Sequence, residues 1–159
     1  MADIDPGHGP MHWKEIASEF PGAPVRASRP DLTMRKQVVH TPRVPPARVP
    51  LSQAIKVGDW IFASGQLGLD VTTGKLVPGG IAAETRQVCE NLKAVLEAAG
   101  SSLDNVVKVT IYMVDLGELM EMNDVFSGFF PIDPPARTTL QCVALVGGAR
   151  VEIEAVATI

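Results

Sequence analysis

An α+β domain, a mixed β-sheet with two helices packed on one face, is the fold that residues 34–159 predict. Three observations lead to it. Apolar residues recur at three-and-four spacing in two stretches, β-branched residues crowd and alternate in several others, and the resulting order is β-β-α-β-α-β-β without an internal repeat. A chain of 159 residues amounts to about one domain.

Ala54–Val57 and Trp60–Gly65 are β-rich runs separated by Gly58-Asp59, a turn signal of hairpin type. Residues 71–80 are punctuated by glycine and proline and carry no periodicity, so they read as a loop. A helix over 82–99 follows from Ile81, Val88, Leu92, Val95, Leu96 and Ala99 on one face, with Gly100 where a left-handed cap would stand. Asn105–Val114 is dense in β-branched residues and reads as a long strand. Leu119, Met122, Phe126, Phe129 and Phe130 return to helical spacing, closed by Pro131. Arg137–Ala144 and Arg150–Thr158 read as strands joined tightly through Val146-Gly-Gly-Ala149.

The first 50 residues differ in kind, for they hold nine of the 13 prolines. Proline fixes φ and removes a donor, so this stretch reads as an arm with one short amphipathic piece around His12–Phe20. Met34 stands near the functional beginning and is followed by Arg-Lys-Gln-Val-Val, a possible short strand; residues 1–33 read as a proline-rich extension, flexible or foreign to the working domain.

Composition narrows the chemistry. Apolar residues make up 46% and no run approaches the roughly 20 residues of a membrane span, which predicts a soluble chain. A formal charge of −4 offers no electrostatic footprint for a nucleic-acid backbone, so neither a membrane nor a nucleic acid is the expected partner. Two cysteines, Cys89 and Cys142, support neither a disulfide framework nor a zinc site, and reduced thiols in the cytoplasm are the expectation. All three histidines lie at or before His40, so triad chemistry or histidine metal ligation would need a residue delivered from the arm. The body must work with Arg, Glu, hydroxyls and backbone.

Two helices can cover only one face of the sheet, so the other is solvated or buried against another subunit. Val151, Ile153 and Ala155 alternate with Glu152, Glu154 and Val156, and the first set suits the core. In the strand before it, Thr138, Leu140, Cys142 and Ala144 are expected on the core side, with Arg137, Thr139, Gln141 and Val143 on the face of the glutamates. Cys142 is expected to act as a small apolar residue.

Arg137 opens a strand after Asp133-Pro-Pro-Ala136. A guanidinium fixed there is either a surface charge paired with a carboxylate or a fork that grips a substrate carboxylate. Glu152 and Glu154 share a face about 7 Å apart, as a solvated acidic stripe or as a water-activating carboxylate with a companion. Ser64-Gly65-Gln66 ends a strand where glycine permits close approach of a ligand, and is also an ordinary turn signal. Asn123 sits in the second helix, where exposure to solvent is the simpler account.

Six segments in order resemble the reactive-intermediate deaminase family, RidA, also called YjgF. They are Pro50-Leu-Ser-Gln-Ala54, Ile61-Phe-Ala-Ser-Gly-Gln66, Thr85–Gly100 with Gln87 and Asn91, Val107–Leu116, Met122-Asn123, and Pro135-Ala-Arg137 with Val151-Glu-Ile-Glu-Ala155. The resemblance spans about Met34 to Ile159. It implies a chorismate-mutase-like fold, a homotrimer with sites between subunits, and hydrolysis of 2-imino and enamino acids such as 2-aminoacrylate to 2-keto acids and ammonia without metal or cofactor. It further implies that Arg137 binds the substrate carboxylate, that Glu152 positions water, and that Ser64, Gly65, Thr139, Asn123 and Leu51 line the pocket. Leu51 stands where the family usually has Tyr, and Thr139 where many members have Cys, which points to a bulkier or less polar imino acid. A non-catalytic trimer that senses small carboxylates and a specialised 2-aminomuconate-type deaminase are the alternative readings.

Overall fold

A computed structural model describes residues 35–47 and 49–159. The extension expected over residues 1–33, with its amphipathic piece, lies outside the described residues. The strands are β1 (Gln37–Val39), β2 (Ala54–Val57), β3 (Trp60–Leu67), β4 (Val106–Met113), β5 (Ala136–Gln141) and β6 (Val151–Thr158), and the helices are α1 (Gly80–Ala98) and α2 (Leu119–Phe129). Together they form one six-stranded sheet ordered β1-β2-β3-β6-β4-β5, antiparallel except for the β4–β5 pair.

Both helices pack on the same face. The stripe of α1 formed by Ile81, Val88, Leu92, Val95 and Leu96 is buried against Ile61, Val109, Ile111, Val151 and Ile153 of the sheet. Gly100 ends α1 at φ 87, and the following Ser101 N–H reaches back to the Leu96 carbonyl at 2.9 Å, the closure a left-handed cap provides. A polar clip joins α1 to the loop after β3: the Asn91 amide, itself buried, donates to the Leu67 and Leu69 carbonyls at 3.0 Å each and accepts from Gln87 at 2.9 Å. Leu67 pairs with Glu152, so this clip fixes the end of β3 against the start of β6.

Where β5 lies departs from the sequence expectation. The tight β5–β6 connection does not form a hairpin, because β4 lies between those strands and β5 runs parallel to β4. Parallel neighbours need a crossover, and α2 supplies it on the helix face. β5 also ends at Gln141 instead of continuing to Ala144, and the path to Ala149 includes a short 3-10 turn at Val146–Gly148.

The opposite, open face of the sheet divides into two halves by register. Val38, Trp60 and Phe62, at 64%, 45% and 49% exposure, make an apolar half over β1 to β3. Lys108, Thr110, Tyr112, Thr138, Glu152 and Glu154 make a polar half over β4 to β6. No helix among the described residues is long and apolar enough to cross a membrane.

Candidate functional site

Register decides which residues can meet. Arg137 pairs with Val109 and Thr139 with Ile111, both buried beneath the helices, so Arg137 and Thr139 project on the helix side. Thr138 and Leu140, paired with Thr110 and Tyr112, project on the open face with the glutamates. This reverses the faces expected for β5. Alternation alone leaves the phase of an edge strand undetermined, and here pairing with β4 sets it.

On the helix side, Arg137 lies at the exposed end of a short polar and aromatic constellation. Its Nη1 donates to Asn123 Oδ1 at 2.8 Å, and its guanidinium carbon lies 5.5 Å from the centre of the Phe126 ring, a cation–π arrangement. Asn123 and Phe126 are one helical turn apart on α2, which is why both reach the same guanidinium. Phe126 stacks in turn on Phe130, with centroids 4.5 Å apart. These contacts leave most of the five guanidinium N–H groups for a ligand. A groove of about 400 Å³ opens beside Arg137, walled by Phe126, Phe130, Pro134 and Pro135 with Ser127 at its edge. Thr139 Oγ1 is buried without a hydrogen-bond partner among the described residues.

On the open face, a second polar cluster forms where β3 loses register with β6 between Ala63 and Gln66. The irregularity holds Ser64 and Gly65, and three hydrogen bonds secure it. Ser64 Oγ donates to the Ser52 carbonyl at 2.7 Å, Ser64 N–H to the Gln53 carbonyl at 3.0 Å, and Gln66 Nε2 to the Ser64 carbonyl at 3.0 Å. Gly65 passes so close to Glu152 that a β-carbon on it would lie 1.9 Å from Glu152 Oε1. Burial, followed by the charge of Glu154, pushes the Glu152 carboxyl above its ordinary value. Tyr112, paired with Glu152 across the strands, donates its hydroxyl to Glu154 Oε1 at 3.4 Å, and burial with the neighbouring Glu154 charge raises its pKa, keeping the phenol protonated. Leu51, one residue before Ser52, is 49% exposed.

The predicted site residues thus gather in two groups, one on each face of the sheet: Arg137, Asn123 and Thr139 on the helix side, and Ser64, Gly65 and Glu152 on the open side, with Leu51 adjoining Ser52, whose carbonyl accepts from Ser64. Phe126 and its proline-walled groove are the functional candidates that the periodicity concealed, since a phenylalanine at helical spacing reads as core. Their one signal was the i, i+3 relation of Phe126 to Asn123. Neither thiol competes for a role: Cys89 is buried, which pushes it up to about 12, and Cys142 donates to the Met113 carbonyl at 3.5 Å. Among the described residues no group of three or more His, Cys, Asp or Glu is placed to hold a metal ion.

Fold and site together define a small α+β domain with an exposed guanidinium on one face of its sheet and a partly desolvated carboxylate on the other. A family model described as Endoribonuclease L-PSP matches residues 41–159. The 2-iminobutanoate/2-iminopropanoate deaminase of Bos taurus is 43% identical over 122 residues, covering 77% of this chain and 89% of the relative. The crystal structure of RidA from the Antarctic bacterium Psychrobacter sp. PAMC 21119 superposes with a TM-score of 0.75 at 42% identity, over 77% of this chain and 99% of the other. Escherichia coli TdcF, solved with bound serine, superposes with a TM-score of 0.74 at 32% identity, over 77% of this chain and 98% of the other. The chain belongs to the RidA (YjgF) family.

Proposed function

We propose that the protein hydrolyses 2-imino acids to 2-keto acids and ammonia, in sites that two neighbouring copies of a homotrimer complete. What supports this reading most is the placement of the two polar groups on opposite faces of one sheet, each too far from the other to meet within a chain. An assembly that lays the open face of one copy against the β5 rim of the next brings Arg137, Asn123 and Thr139 to Ser64, Gly65 and Glu152. It also covers Trp60 and Phe62, whose exposure otherwise leaves an apolar area in water. The deaminase name of the bovine relative and the serine held by TdcF agree with a small amino-acid-like ligand.

The chemistry follows from the residues. Arg137 takes the substrate carboxylate in a two-pronged grip and leaves the imine carbon facing Glu152 of the neighbouring copy. The Glu152 carboxylate accepts a proton as a water oxygen bonds to that carbon, forming a carbinolamine. That proton then passes to nitrogen, and as the C–N bond breaks the hydroxyl gives its own proton to the freed Glu152 carboxylate, so that ammonia leaves and the ketone forms. An enamine enters the same path after tautomerising to the imine. Because an imine is already electrophilic, orientation and a placed base supply what the reaction needs.

The test is ammonia release from 2-iminopropanoate and 2-iminobutanoate formed in situ from 2-aminoacrylate and 2-aminocrotonate, by wild type, Arg137→Ala, Glu152→Gln and an unfolded-then-refolded equimolar mixture of the two variants. Each variant alone is expected to be inactive. The mixture should regain about a quarter of the wild-type rate, since one interface in four then pairs an intact Arg137 with an intact Glu152. No recovery in mixed trimers would sink the shared site, and no turnover by wild type would favour the carboxylate-sensing alternative.

The acid side of the pH–rate profile provides a second check. A base must be deprotonated to act, so the rate rises as pH passes the elevated Glu152 value. Glu154→Gln removes the like charge while leaving the burial in place, so the acid limb is expected to move to lower pH, with the plateau kcat held within about threefold. A limb that stays in place or moves upward would mean that another group controls it.

A further inference from the structure

We infer that the groove beside Arg137 receives the substrate side chain, and that the preferred substrates are 2-imino acids bearing an aromatic or branched apolar side chain. This rests on the imine-deaminase reading above. Once the carboxylate is anchored on Arg137, whatever extends from the α-carbon meets the surfaces around that guanidinium. Those surfaces are two phenylalanines and two prolines. Its two uncharged polar side chains each already make a contact within the chain, Asn123 Oδ1 accepting from Arg137 at 2.8 Å and Ser127 Oγ donating to the Asp124 carbonyl at 3.0 Å. Among the described residues Arg137 is the one charged side chain in the lining, so a second carboxylate would find no cationic partner there within the chain. That argues against a dicarboxylic substrate of the aminomuconate type.

Size points the same way. At about 400 Å³ in a single copy, before a neighbouring copy closes over it, the groove is wider than the methyl group of a three-carbon imino acid needs. Its walls are also set in advance. The Phe126–Phe130 stack fixes the floor, and the Pro134-Pro135 pair, entered from Asp133 at φ 48, stiffens the rim, so a ring entering the groove pays little to order it.

The inference is tested by generating 2-iminopropanoate and 2-imino-3-phenylpropanoate from alanine and phenylalanine with an amino-acid oxidase and comparing kcat/KM for the two. The aromatic imine is expected to be favoured at least about tenfold, the scale at which apolar pocket contacts discriminate. Ser127→Phe, which builds a ring into the groove from its edge, is expected to lower that ratio at least about tenfold. A wild-type preference for the methyl substrate, or a ratio indifferent to Ser127→Phe, would overturn the inference while leaving the deaminase reading intact. If neither imine is hydrolysed the deaminase reading fails, and calorimetric titration with pyruvate and phenylpyruvate then decides the groove. Tighter binding of phenylpyruvate that Ser127→Phe weakens supports it; equal or weaker binding overturns it.

Discussion

Replacing Arg137 with alanine is expected to lower kcat/KM for 2-iminopropanoate by roughly 10²–10³-fold, the loss of a two-pronged charged grip at about 3–4 kcal/mol. The side chain is exposed and, among the described residues, its one hydrogen bond goes to Asn123, so the melting temperature should move little. Arg137→Lys separates charge from shape. A lysine keeps the positive charge near the Phe126 ring but cannot present parallel N–H groups, so it should restore only a minor part of the lost rate. The measurement is steady-state kinetics on all three proteins with melting curves alongside. A loss below about threefold in Arg137→Ala would mean that the carboxylate is held elsewhere.

The second large effect is expected from the smallest change. Gly65→Ala places a carbon where the Glu152 carboxylate now lies, 1.9 Å from Oε1 and 2.7 Å from Cδ, and the carboxylate must swing aside. The fold should survive, because the obstructing atoms end a flexible side chain. A displacement on the order of 1 Å at a reacting group costs about 10²-fold, so kcat should fall by that factor with KM nearly unchanged. A double-mutant cycle makes the cause visible. If Gly65 acts by giving Glu152 its place, Gly65→Ala added to Glu152→Gln should cost almost nothing more, whereas fully additive losses would show two independent roles.

Much of the architecture was legible because it rests on local periodicity. The α1 stripe from Ile81 to Leu96, the β-branched run of β4 and the alternation of Val151, Ile153 and Ala155 each reflect a face that must be buried, and burial writes itself into spacing. What spacing does not carry is partnership. β5 and β6 are neighbours in sequence with a glycine-rich link between them, yet β6 pairs with β3 and β4 while β5 takes the rim. That choice depends on which strand edges remain free after α2 has crossed over, a property of the whole sheet. The error in the facing of Arg137 has the same origin, for the phase of β5 is set by its pairing with Val109 and Ile111.

The site divides along similar lines. Arg137 was marked by the prolines before it and Gly65 as a glycine closing a β-rich run, although β3 continues to Leu67 and Gly65 sits at the register shift within it. Asn123 looked like a solvent-facing residue until the fold brought β5 beneath α2, where it accepts from Arg137. Phe126 is harder, since it is buried to 5% exposure and belongs to the core even as its ring supports the guanidinium. One residue in two roles leaves the signature of the commoner one.

The strand that carries Arg137 is also a free margin of the sheet in a single chain, and such margins are templates for runaway association, because their outward N–H and C=O groups accept any other extended segment. Here Pro134 and Pro135 stop the ladder immediately before Ala136, since neither has an N–H to offer, and the opposite margin is a strand of only three residues, Gln37–Val39. The prolines that stiffen the wall of the groove beside Arg137 therefore act as gatekeepers against aggregation as well. Exchanging those prolines to reshape the groove would also lengthen the ladder that an unassembled chain offers to other extended segments.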